Sequence, residues 1–370
     1  MSASFFRAAL LAAAATFGLT QGALARPVVE VAFVLDTTGS MSGLIEGAKR
    51  KIWSIATTIL DERPDAELRM GLIAYRDIGD EYVTKSFALT DDIQTIYGHL
   101  LDLRAQGGGD WPESVNEALD KAVTGMSWTQ GPVADRIVFL VGDAPPHMDY
   151  KQDRKYPDIV ADARSRGIVV NAVQAGAARD TERVWREIAQ RGAGAYIPIP
   201  QDGGPVVIIE TPYDEEIIIL QKKINATIIP YGEQRVQESV KKKASQVSAA
   251  PASSASDMAG YMARAGKGRA AVTGEGDLVA DLAEGRRKLD AVPAEQLPAP
   301  MQSLDAKGRA AYVEQRAAER GALSKQMAEL VTKRDAFVKD KRAAQMKTAG
   351  ARKDGFDAVV SETLRSQLRK

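Results

Sequence analysis

Two uninterrupted apolar runs that each stop at an aspartate constrain this chain more than any other feature. Val31 to Leu35 runs straight into Asp36-Thr37-Thr38-Gly39-Ser40, and Ile137 to Val141 runs into Gly142-Asp143. Apolar runs without polar alternation suit strands buried on both faces, as in a parallel sheet covered by helices. The segments between and after them supply those helices. Apolar residues at three- and four-residue spacings mark Leu44 to Leu60, Asp92 to Arg104, Val115 to Val123, Tyr156 to Arg166 and Thr181 to Gln190. Further strands are read at Glu67 to Asp77, Tyr82 to Leu89, Ile168 to Val173 and Ala195 to Ile197, and the short, polar Tyr82 to Leu89 is expected at an edge. Strands alternating with helices predict an α/β fold, a doubly wound and mostly parallel sheet with right-handed crossovers.

Ligands of such open sheets bind at the carboxyl ends of the strands. Asp36, Thr38 and Ser40 offer one carboxylate and two hydroxyls within a single turn there, a donor set suited to a hard divalent cation. A helix cannot continue through Gly107-Gly108-Gly109, and Asp110-Trp111-Pro112-Glu113 follows, with proline where the first turn of a helix accepts it. The topology therefore predicts that Asp36 to Ser40, Gly107 to Asp110 and Asp143 meet at one edge of the sheet.

Together these residues resemble the metal-ion-dependent adhesion site of von Willebrand factor type A domains. That family's pattern is an Asp-x-Ser-x-Ser loop after the first strand, a threonine in a later loop and an aspartate ending another central strand. The likeness covers about Val28 to Pro200 and implies a Rossmann-like fold, a bound Mg2+, Ca2+ or Mn2+, and a protein partner. Carried over by position, it implies metal ligation by Asp36, Thr38, Ser40 and Asp143, with Thr38 in place of a serine. Asp110 stands where the family has threonine. If it joins the shell, three carboxylates overneutralise a divalent ion, which predicts weaker dependence on an acidic partner residue and a shift towards calcium. If it does not, it caps the helix that begins near Pro112.

Neighbouring residues carry two readings each. Glu113 reaches the metal through water or, as the preferred reading, is a first-turn glutamate favoured by the helix dipole. Trp111 is a recognition aromatic or packs under the glycine loop. His147, alone in a proline-rich loop, is taken as structural and left out of the site. Catalysis is not expected. A strand ending in Asp-x-Thr resembles the nucleophile loop of haloacid-dehalogenase-like phosphatases, but Thr38 stands where the acid should be and leaves that mechanism without a proton donor. With only His99 and His147 and no Gly-x-Ser-x-Gly turn, a serine hydrolase is also disfavoured.

The chain has 370 residues, which suggests more than one domain. Residues 1–25 carry one charge, Arg7, then an apolar stretch and Ala23-Leu24-Ala25, the pattern of a secretory signal cut after Ala25 and of a periplasmic or secreted protein. No later stretch approaches the ~20 apolar residues of a membrane span. There is no cysteine, so no disulfide or thiolate site contributes. Residues 26–200 form the expected metal-binding domain and 201–244 an extension with strands at Val206 to Glu210 and Ala226 to Ile229 around a helix at Glu215 to Ile224. Residues 245–256, rich in Ala and Ser, read as a flexible linker, and 257–370 as a helical region with helices at Asp277 to Leu289, Asp305 to about Lys347 and Phe356 to Leu368. The formal charge of zero divides into about −10 for 26–233 and +9 for 234–370. Basic helical faces could serve salt-sensitive docking within the chain, contact with another protein or anionic envelope material, or self-association; nucleic acid is not among the expected partners. If the metal only staples the loops, those helices make the protein an assembly component.

Overall fold

The structure, a computed structural model, describes residues 26–266, 271–348 and 355–369; the expected signal segment lies outside them. Six strands form one sheet: β1 (Val28–Asp36), β2 (Glu67–Tyr75), β3 (Thr84–Thr90), β4 (Ala134–Gly142), β5 (Ile168–Ala175) and β6 (Ala193–Ile199). Their order is β3-β2-β1-β4-β5-β6, all parallel except β3, which pairs antiparallel with β2 at the edge. The chain winds outward through β2 and β3, then returns to the far side of β1 for β4. The switch point therefore falls between β1 and β4, whose register pairs Leu35 with Val141 and sets Asp36 and Asp143 on neighbouring strand ends.

Every residue of β1 is buried, because each face has its own helical layer. Val29, Val31, Phe33 and Leu35 face one layer, built mainly from α1 (Ser42–Glu62) and α2 (Ile93–Asp102). Ala32 and Val34 face the other, from α3 (Val115–Thr124), α4 (Tyr156–Ser165) and α5 (Arg179–Arg191). Asp92 caps α2 through the Thr95 N–H at 3.2 Å.

Among the described residues seven α-helices follow: α6 (Asp214–Asn225), α7 (Gln234–Ala249), α8 (Ala252–Arg264), α9 (Leu278–Ala283), α10 (Ala299–Gln302), α11 (Ala306–Thr348) and α12 (Phe356–Leu368). Here several expectations fail. The segment 245–256 is helical and broken only around Pro251; alanine is the best helix former, and the small Ser254, Ala255 and Ser256 are buried where α8 packs on α1. Small side chains signify close approach here rather than flexibility. Val206 to Glu210 is not a strand. The sheet ends at β6, and the segment runs beside α1, where Lys51 Nζ donates to the Val207 carbonyl at 2.7 Å. Ala226 to Ile229 makes no strand either; the chain there leaves α6 and forms a single bridge, Pro230 with Asp277. The helix read from Asp277 to Leu289 is only α9, stopped at Gly285, whose φ is +71°.

The helical region is not a separate appendage. Met258, Tyr261 and Met262 of α8 and Phe356, Val360, Leu364 and Leu368 of α12 belong to the same core as β1 and α1. Met327, Leu330 and Val331 of α11 pack within the chain on α6 and α8. The charge division is met inside the molecule too: Arg264 pairs with Asp61 at 2.8 Å, Arg369 with Glu62 at 2.9 Å, and Lys243 with Asp92. No helix among the described residues is long and apolar enough to cross a membrane.

Candidate metal centre

Four loops converge at the carboxyl edge. The Thr37 N–H and hydroxyl both donate to the Tyr75 carbonyl, at 2.9 and 2.8 Å, which ties the first loop to the end of β2. The Gln106 N–H donates to the Thr37 carbonyl and the Gly39 N–H to that of Gly107, at 3.0 and 3.1 Å, so the glycine loop lies along the first. Arg76, 3% exposed, donates to the carbonyls of Thr37 and Arg104 and lies 4.3 Å from the Tyr82 ring centre; it is a buried cation holding three segments together. The Glu113 N–H donates to the Pro145 carbonyl and the His147 N–H to that of Glu113, at 3.0 and 3.1 Å, which lays the fourth loop beside the third.

In this frame Asp36, Thr38 and Ser40 come together as the spacing predicts. The Thr38 N–H and hydroxyl donate to Asp36 Oδ1 at 2.8 and 2.7 Å, and the Thr38 and Ser40 hydroxyl oxygens are 3.4 Å apart. Asp36 Oδ2 is buried with no hydrogen-bond partner. Burial, reinforced by the neighbouring Asp143, outweighs the Thr38 hydrogen bonds and pushes the Asp36 carboxyl up to about 7. Asp143, also buried, is oriented by the Gln201 side-chain amide, which donates to its Oδ2 at 2.6 Å. A buried carboxylate oxygen without a donor, next to a second carboxylate, is costly unless a cation or proton meets it. Asp36, Thr38, Ser40 and Asp143 therefore fit a hard divalent ion.

Asp110 does not cap α3. The cap position of α3 is Ser114, and the Asp110 carboxylate lies 3.6 Å from His147 Nε2, within a group formed with Asp77. The acid coupled to Asp36 from this loop is Glu113. It precedes α3, is 3% exposed and has an unpartnered Oε2, so it is not a solvated first-turn glutamate. Burial, then Asp36, Asp77, Asp80 and Asp143, push it up to about 9. Trp111 does not pack under the glycines. It is 47% exposed, and its Nε1 donates to Asp180 Oδ2 at 2.6 Å. His147, excluded on the sequence, proves to be part of a polar cluster with Asp77 and Asp110. One signal was available for Asp77: it lies two residues beyond the buried apolar end of a strand, at Tyr75, near the edge where Asp36 ends its own strand.

Gly108 has φ +84°, and a β-carbon there would come within 3.1 Å of both Thr38 Cβ and Glu113 Oε1. Gly108→Ala should strain the backbone by about 1–2 kcal/mol and push the first loop away from Glu113. The expected result in calorimetric Mg2+ titration is an affinity loss of roughly tenfold, about 1.4 kcal/mol; unchanged affinity would separate the glycine loop from the metal site.

Residues 30–211 match a family model described as the von Willebrand factor A domain. A putative ariadne-like RING finger protein of Acanthamoeba polyphaga mimivirus is 30% identical over 120 residues, 32% of this chain and 11% of that protein. The alpha-protein kinase vwkA of Dictyostelium discoideum is 28% identical over 120 residues, 32% of this chain and 19% of that protein. The chain thus spans less than a fifth of the length of either curated relative. Among solved structures, the conserved hypothetical protein BatB from Bacteroides thetaiotaomicron aligns with 16% identity over 60% of this chain and all of that one, with a TM-score of 0.34. Proximal thread matrix protein 1 from the mussel byssus, with a zinc-occupied MIDAS motif, aligns with 16% identity over 48% of this chain and 43% of that one, with a TM-score of 0.36.

Proposed function

We propose that the von Willebrand factor A domain of this chain, residues 30–211, binds a protein partner outside the cytoplasm through a divalent cation at the carboxyl edge of its sheet. Asp36, Thr38, Ser40 and Asp143 would hold the ion, Mg2+, Ca2+ or Mn2+, with Glu113 as the adjoining acid. The cation would supply a Lewis-acidic position for a partner oxygen. The protein's own part is to orient Asp143 through Gln201 and Asp36 through Thr38, and to exclude water from the Asp36 carboxylate. We assign no bond-breaking step. The Thr38 hydroxyl donates to Asp36 where a phosphatase would need an acid, so the loop is arranged to hold a carboxylate still.

The observation that carries the reading is the apolar rim. Ile78, Trp111 and Met148 are 51%, 47% and 49% exposed, and each follows in sequence a member of the Asp77, Asp110 and His147 group at this edge. Large exposed side chains on loops around a polar centre are what a protein interface uses as anchors. Pull-down from envelope extract should capture a partner with Mg2+ present and lose it with chelator. Trp111→Ala should reduce capture at least several-fold while leaving the calorimetric Mg2+ affinity unchanged. Capture indifferent to chelator would instead support the assembly reading, in which the metal only staples loops. Export remains part of the proposal, supported by the pattern of residues 1–25, and N-terminal sequencing of the mature protein should begin at Arg26.

A further inference from the structure

Beside the Asp36 loop lies a second group with a different donor chemistry. Ligand atoms of Asp77, Asp110 and His147 all lie within 4.8 Å of one another. His147 is 6% exposed, and its Nε2 has no hydrogen-bond partner although it faces Asp77 Oδ2 at 3.5 Å and Asp110 Oδ2 at 3.6 Å. These separations are too long for the strong hydrogen bonds of an imidazolium to carboxylate. They match a shared ion instead: two donors each about 2.1 Å from a tetrahedral metal lie about 3.4 Å apart.

The surroundings hold the imidazole in the tautomer a metal requires. Nδ1 is 2.8 Å from Asp149 Oδ1, and a proton donated there leaves Nε2 with its lone pair. The Tyr150 ring stacks on the imidazole at 3.9 Å and 6°, and the Tyr150 hydroxyl donates to Asp77 Oδ2 at 2.8 Å. The Ser114 hydroxyl donates to Asp77 Oδ1, also at 2.8 Å. On the backbone, the His147 N–H is held by Glu113 and its carbonyl accepts from Asn116 Nδ2 at 2.7 Å. Two of the three ligands, Asp77 and His147, are thus held in place by their neighbours, and the exposed Asp110 completes the group from the loop.

We infer that Asp77, Asp110 and His147 form a second cation site, distinct from the Asp36 centre and selective for a first-row divalent transition ion such as Zn2+, Co2+ or Mn2+. One imidazole and two carboxylates suit such ions, whereas the all-oxygen Asp36 loop suits Mg2+ or Ca2+. Two carboxylates neutralise the ion, and three protein ligands leave a tetrahedral ion one position for a further donor.

The test uses the full chain, stripped with chelator, returned to excess Mg2+ to occupy the Asp36 loop, and titrated with Co2+. One equivalent should bind and give visible ligand-field absorption. His147→Gln should abolish that band, while Asp36→Asn should keep it. Asp149 is exposed, so Asp149→Asn should fold normally and weaken Co2+ binding roughly 10- to 100-fold. The inference is overturned if the unmodified chain gives no band, as an imidazolium simply paired with two aspartates would, or if both His147→Gln and Asp149→Asn bind Co2+ as it does.

Discussion

A chain truncated before Phe356 should lose its stable fold, although it keeps all six described strands and every residue of both proposed cation sites. Helix α12 places Phe356, Val360, Leu364 and Leu368, at most 5% exposed, against the sheet and α1, with the Phe356 ring 6.4 Å from that of Phe33. Burial of four such side chains contributes about 6–12 kcal/mol, as much as the whole net stability of about 5–15 kcal/mol. Polar contacts go with them: Gln367 and Asn171 exchange side-chain hydrogen bonds at 2.7 and 3.2 Å, and Arg369 pairs with Glu62. Urea unfolding of the purified truncated and full-length chains checks this, with Leu364→Ala as a milder variant expected to cost about 2–5 kcal/mol. Equal midpoints for the truncated and complete chains would show that α12 is ornamental.

The second large effect concerns Asp36. In the metal-free protein its carboxyl is raised from 3.8 to about 7, so the folded chain holds a proton that the unfolded chain has lost. The sign follows: this contribution is fully present below about 4 and disappears as pH rises through 7, a swing of about 4 kcal/mol. Glu113, raised from 4.5 to about 9, extends the decline to higher pH. Mg2+ should offset part of it, since an ion at 100 times its dissociation constant adds about 2.7 kcal/mol, and the gain should shrink towards pH 5, where protons compete. Asp36→Asn removes the buried charge and the ligand together. The variant should be more stable than the parent in chelator above pH 7, and should gain nothing from Mg2+ through this loop. Denaturation curves from pH 4 to 9, with chelator or with Mg2+, test both halves; a variant that still gains stability from Mg2+ at this loop would remove Asp36 from the centre.

Much of the candidate site's geometry was readable in order along the chain. Asp36, Thr38 and Ser40 meet because they share one turn, and a turn is decided by its own few residues. Asp143 joins them because two buried apolar runs had to be neighbouring central strands. Asp110 and Glu113 could not be told apart in this way. Both are acids in one loop, and which of them faces Asp36 is decided by the bridge between Glu113 and Pro146 and by the left-handed Gly107 and Gly108. His147 was passed over for a related reason: its partners, Asp77 and Asp110, are 70 and 37 positions away.

The C-terminal half divides along the same line. Helices at Asp305 to Lys347 and Phe356 to Leu368 follow from local periodicity, and α11 and α12 occupy nearly those spans. Their destination does not follow from it, because an apolar stripe states that a face must be buried and not what buries it. By itself the sequence determined the α/β sheet, the edge where oxygen ligands gather and the positions of most helices, since hydrophobic period and turn chemistry act over a few residues. Only the tertiary structure decided that α8 and α12 complete the core, that Glu113 rather than Asp110 adjoins Asp36, and that Asp110 meets Asp77 and His147. Those outcomes depend on strand order and loop pairing, which bring together side chains that no short stretch of sequence contains.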